Sequence, residues 1–83
     1  MGKASFTKDE MFLCKLASMA ESLGDAFTEM DSYVIGQAIG QNNRSVDNIV
    51  RMLAQTNFLK KSHGSFVYLT PNGMGLVKTL LAK

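Results

Sequence analysis

The stretch from Ile35 to Val50, IGQAIGQNNRSVDNIV, constrains this chain more than any other. Apolar residues recur at helical spacing on both sides of Gly40, with polar residues between them. It reads as two helices set around a tight glycine turn. A second run, LKKSHGSFVYLTPNG from Leu59 to Gly73, switches from helical to strand character. The β-prone segments 58–62 and 65–69 flank His63-Gly64, and a two-residue loop ending in glycine fits a tight hairpin. Leu59, Val67 and Leu69 are expected to face a core, with Lys60 and the loop tip facing out.

Helical signals bracket these two runs. Thr7 and Glu10 have the spacing of a capping box, in which each side chain satisfies a backbone donor of the first turn. Phe6 and Met11 are placed to form a hydrophobic staple. Phe12, Leu16, Met19, Ala20 and Leu23 then recur at helical spacing, and Gly24 is a natural stop. Residues 26–30 form either a brief strand or a connector. Asp31 or Ser32 caps a second helix at about 32–40, and Asn42 caps a third at about 43–57. Thr70 caps a fourth helix, with Pro71 at its first position. Leu76, Val77, Leu80 and Leu81 give that helix an apolar face, and Gly73 and Gly75 weaken its first turn.

Eighty-three residues make one domain spanning 1–83. Hydrophobic residues at 46% and charged residues at 19% belong to an ordered chain rather than a disordered tail. No apolar run approaches the ~18 residues of a transmembrane helix. The opening MGKASFTKDEMF lacks the apolar region of a signal peptide, and Met1-Gly2 with Ser5 matches a myristoylation signal only weakly. The single cysteine, Cys14, cannot form an internal disulfide and lies among apolar helical residues. A reducing intracellular compartment is expected, the cytoplasm, nucleoid or nucleus.

Net charge is only +2, but it is unevenly spread. Residues 1–31 hold three lysines against six acids, and residues 32–83 hold six cations against Asp47 alone. Such asymmetry suits a protein that turns one face to a polyanion.

Residues 32–51 resemble the helix-turn-helix of DNA-binding regulators. Ile35-Gly36 matches the pattern's hydrophobic and small residues in the first helix. Ile39-Gly40 matches the hydrophobic residue and turn glycine, and Val46 and Ile49 match the two apolar positions that dock the second helix. Gly36 leaves room where the helices cross, and Gly40 supplies the turn conformation. The hairpin and the Leu69-Thr70-Pro71-Asn72-Gly73 run extend the resemblance to the winged-helix subfamily, so that it covers roughly residues 7–82. Gln41 departs from the pattern, since an apolar residue is more usual in the turn. Asp47 departs too, being acidic on a face that meets phosphates.

The resemblance implies an α+β, mostly α fold. A three-helix core containing the helix-turn-helix carries a two- to three-stranded antiparallel wing and a C-terminal helix. It also implies double-stranded DNA as partner, read in the major groove by the third helix, with transcriptional control as the outcome. Small regulators of this kind often pair, and a homodimer through the first and fourth helices is the expected assembly. With Val46, Ile49, Val50 and Leu53 turned inward, the third helix presents Asn43, Arg44, Asp47, Asn48 and Arg51. Arginine bonds guanine, asparagine bonds adenine, and Asp47 can accept from cytosine. Ser32, Asn42 and Ser45 are candidates for phosphate contacts near helix N-termini, and Lys60, Lys61 and His63 for backbone or minor-groove contacts by the wing. A winged helix used for protein–protein contact, or for RNA, is the competing reading.

Little points to catalysis. One His and one Cys supply no set of four metal ligands. His63 has no acidic orienter close in sequence for a triad. Gly73-Met74-Gly75 lacks the surroundings of a phosphate loop. The expectation is a binding protein without cofactor or metal.

Overall fold

The computed structural model describes residues 6–82. Met1-Gly2, Ser5, Lys3 and Lys83, which entered the sequence reading, lie outside the described residues. The chain forms a small α+β fold of four helices and one three-stranded antiparallel sheet. The elements are α1 (Lys8–Ser22), β1 (Met30–Asp31), α2 (Ser32–Ala38), α3 (Asn43–Gln55), β2 (Leu59–Lys61), β3 (Phe66–Leu69) and α4 (Pro71–Leu81). No described helix is long and apolar enough to cross a membrane.

Local chemistry sets the helix starts. At α1 both halves of the capping box form, Thr7 N–H to Glu10 Oε1 at 2.9 Å and Glu10 N–H to Thr7 Oγ1 at 3.1 Å. Asp31, not Ser32, caps α2 by accepting from the Tyr33 N–H at 3.0 Å. Asn42 caps α3 through the Ser45 N–H at 2.8 Å. Both α2 and α3 end two residues earlier than their periodicity suggests. After α2 the chain turns through Gly40, whose φ of +77° favours glycine. After α3, Asn57 takes φ +64°, which asparagine tolerates better than most residues. The Phe58 N–H then reaches back to the Leu53 carbonyl at 2.9 Å and closes the helix end.

The sheet has order β1-β3-β2. Residues 26–30 thus end in a true strand, with Met30 opposite Val67 and Asp31 opposite Phe66. Leu59 pairs with Leu69, Lys60 with Tyr68 and Lys61 with Val67. The hairpin loop is longer than the two residues expected at His63-Gly64. Phe66 receives the Ser62 N–H on its carbonyl at 2.8 Å and gives its own N–H to the His63 carbonyl at 3.0 Å. The turn is therefore centred on Gly64-Ser65, and Gly64 takes the positive φ.

One core joins all layers. Phe12, Leu13 and Leu16 of α1 pack with Ile35 of α2, Val46, Ile49 and Leu53 of α3, Leu59, Val67 and Leu69 of the sheet, and Val77 of α4. Alternation along β2 and β3 buries Leu59, Val67 and Leu69 as expected. Leu23 and Leu81, assigned to apolar stripes, instead lie at helix ends and are largely exposed. Cys14 is half-buried beside this core, and burial, then the nearby Glu10 charge, pushes its thiol pKa up.

The start of α4 docks on the turn after α3. Thr70, 4% exposed, donates its hydroxyl to the Asn57 carbonyl at 2.7 Å and accepts from the Gly73 N–H at 2.9 Å. Gly73 is buried against the Phe58 carbonyl, where a Cβ would collide with main chain. Gly73 is therefore a close-approach residue rather than merely a weak point in the helix.

Candidate functional site

Three elements meet around an open cleft of about 340 Å³. The start of α2 supplies Ser32 and Tyr33, the outward side of α3 supplies Asp47 and Arg51, and the hairpin supplies Lys61, Gly64 and Ser65. The hairpin is tied to α2. The Ser32 N–H bonds the Ser65 carbonyl at 2.9 Å, and the Ser65 hydroxyl donates to Asp31 Oδ1 at 2.8 Å. Asp31 thus caps α2 and anchors the loop with the same oxygen, and this holds the hairpin loop against the start of α2.

The face of α3 is as expected in outline. Val46, Ile49, Val50 and Leu53 are buried, while Asn43, Arg44, Asp47, Asn48 and Arg51 are exposed. Their hydrogen bonds divide them. The Arg51 guanidinium donates to Asn48 Oδ1 at 2.8 Å, one turn back on the same helix. Asp47 Oδ1 accepts from the Tyr33 hydroxyl at 2.8 Å. That bond, followed by burial and by the charges of Asp47 and Asp31, raises the Tyr33 pKa above the usual phenol value. Asn43 and Arg44, in the first turn of α3, are exposed to solvent.

Other expected contacts are placed differently. Ser32 is 4% exposed and lines the floor of the cleft. Asn42 spends its side-chain oxygen on the cap, and the half-buried Ser45 donates its hydroxyl to Gln41 Oε1 at 2.6 Å. That bond also gives the unusual turn residue Gln41 a structural role. Lys60 and Lys61 part company. Lys61 lines the α3 cleft, whereas Lys60 lines a separate groove of about 710 Å³ with Phe27, Tyr68, Pro71 and Asn72. Strand alternation is the cause, because adjacent residues point to opposite faces.

His63 stands exposed at the hairpin tip, stacked on Phe66 with centroids 5.4 Å apart and planes 14° from parallel. An acid does lie near it, although not in sequence. Glu29 Oε2 accepts from the Ser62 hydroxyl at 2.9 Å, and His63 Nδ1 sits 3.2 Å from the same hydroxyl. The order differs from that of a triad, because the Ser62 hydroxyl donates to the carboxylate rather than to the imidazole. Among the described residues, no three His, Cys, Asp or Glu side chains group closely enough to hold a metal ion.

Comparison with protein families, with curated proteins and with solved structures gives no match to this chain.

Proposed function

We propose that this chain is a winged helix-turn-helix domain that binds double-stranded DNA, with α3 in the major groove and the β2–β3 hairpin as the wing. The α3 face carries this reading. Asn43, Arg44, Asn48 and Arg51 are exposed on one side of a helix whose opposite side is core, and Lys61 faces Arg51 across the cleft. A side chain that reads base edges must stand free of its own core, and a helix of this width fits the major groove. Lys61 and the hairpin tip meet the flanking phosphates, which set register and supply salt-sensitive affinity. Function follows from occupancy, as transcriptional control.

A homodimer through α1 and α4 gives the second half-site. A shallow groove lined by Met11, Cys14, Ile39 and Leu81 runs along α1 to the end of α4, where Leu81 is 64% exposed. Sedimentation at micromolar concentration is expected to give a dimer; a clean monomer removes the two-half-site arrangement.

Fluorescence anisotropy with mixed-sequence duplexes tests DNA binding. Affinity is expected to fall steeply as salt rises. Arg44→Ala is expected to cost about 1–3 kcal/mol on preferred sites and to relax sequence preference. Lys61→Ala is expected to weaken all duplexes alike and to lower the salt slope by about one. Lys60→Ala, on the other face, serves as the control with little effect. Unchanged affinity in both Arg44→Ala and Lys61→Ala sinks the docking arrangement.

One observation favours a second reading, a protein-interaction module. Phe27, 43% exposed in the turn before β1, lines a groove with Tyr68 of β3, and Phe66 on the same strand is 37% exposed. Binding that survives high salt and requires Phe27 would select that reading.

A further inference from the structure

The face of α3 is partly bonded to the protein itself, and one of those bonds differs in kind. Asn48–Arg51 lies within the helix, and Asn42 and Ser45 serve the helix start. The Tyr33–Asp47 bond alone in this group joins the outward side of α3 to α2. We infer that Tyr33 is a positioning residue that holds Asp47 as an acceptor for the major-groove amino group of cytosine at the base pair facing the middle of α3. The inference rests on the DNA reading above and names one feature of the sequence that would be bound.

An exposed aspartate on a helix has several rotamers, and a carboxylate free to swing selects nothing. The phenol donor, 2.8 Å from Oδ1, holds one oxygen of a carboxylate that lines the cleft and leaves Oδ2 with its acceptor capacity. The raised Tyr33 pKa keeps that donor protonated throughout the neutral range.

Base-edge chemistry then decides the partner. Guanine presents two acceptors, N7 and O6, and thymine presents O4 beside a methyl group; a carboxylate is repelled by each acceptor. Adenine offers the N6 amino group, but with the N7 acceptor beside it. Cytosine offers its N4 amino group with no acceptor on its own major-groove edge. An acceptor-only side chain therefore ranks cytosine first and adenine second. The acidic residue that looks misplaced on a phosphate-facing helix becomes a filter against guanine and thymine at one position.

Selection from a duplex pool with a randomised core, followed by sequencing, tests this with the whole chain. The unmodified protein is expected to enrich cytosine over guanine and thymine by roughly tenfold in one column. Asp47→Asn is expected to move that column from cytosine to adenine, because an amide offers the donor–acceptor pair adenine wants. Tyr33→Phe is expected to lower cytosine enrichment in that column by about threefold to tenfold, with the remaining columns and the circular dichroism spectrum unchanged. An identical cytosine column in Tyr33→Phe overturns the positioning role. Sequence preference in which Asp47→Asn changes no column overturns the inference and leaves DNA binding standing. A chain that binds no duplex at any salt overturns both.

Discussion

Gly73→Ala is expected to destabilise the fold by about 3 kcal/mol or more, although Gly→Ala inside a helix ordinarily stabilises. A Cβ at position 73 would collide with the Phe58 carbonyl and crowd the Leu69 side chain. The carbonyl belongs to main chain that has no freedom to withdraw. Its oxygen already accepts from the Thr70 N–H, and the Thr70 side chain ties the cap of α4 to Asn57. The added methyl must therefore push α4 off the end of α3. A domain of this size has about 4–12 kcal/mol of stability in total, so the loss is a large share. A thermal midpoint lower by more than about 12 °C is expected by circular dichroism.

Gly75, two residues on, is the matched control. It lies in the same helix, is exposed, and has open space around its missing Cβ. Gly75→Ala is expected to stabilise by about 0.5–1 kcal/mol through the unfolded chain and helix propensity. Opposite signs at two glycines of one Gly-Met-Gly segment separate close approach from propensity. Equal and small effects would show that α4 does not sit against Phe58 as described.

Gly73 also marks where sequence reasoning stops. The caps at Thr7, Asn42 and Thr70 were legible because each is a local bond spanning three residues. The inward set Leu59, Val67 and Leu69 was legible from strand alternation. Lys60 and Lys61 could have been separated by the same rule, since Lys61 shares the parity of Leu59. Contacts made only by folding left no trace. Glu29 reaches Ser62 across 33 residues, Ser65 reaches Asp31 across 34, and Tyr33 reaches Asp47 across 14. For that reason the candidate α3 residues could be named in advance, but not which of them are bonded to their own protein. Ser32 is a similar case. A serine at a helix start suggests an anion contact, and the fold buries this one to 4% exposure with its N–H on the Ser65 carbonyl of the hairpin loop. Nothing in the local sequence around Ser32 announces that burial.

Gly36→Ala and Val46→Ala are expected to be far from additive. Each alone should be costly. A Cβ at position 36 would run into the Val46 Cγ2 methyl, in a buried site where a β-branched side chain has little rotamer freedom. A cost of about 2–3 kcal/mol follows from overpacking. Val46→Ala leaves a void in the core at about 2–3 kcal/mol. The double variant removes the methyl that the new Cβ strikes and partly fills the space left behind. Its loss is expected to fall short of the sum by at least about 1 kcal/mol in urea titrations. Additivity within about 0.5 kcal/mol would mean that α2 and α3 do not cross at this pair. The crossing matters beyond stability because it sets how α3 lies across α2, and so how Arg44 and Arg51 stand relative to Lys61. On the DNA reading, the double variant should therefore keep its duplex preference. Gly36→Ala should lose affinity even at temperatures where circular dichroism finds it folded, since spreading the two helices tilts the reading face away from the hairpin.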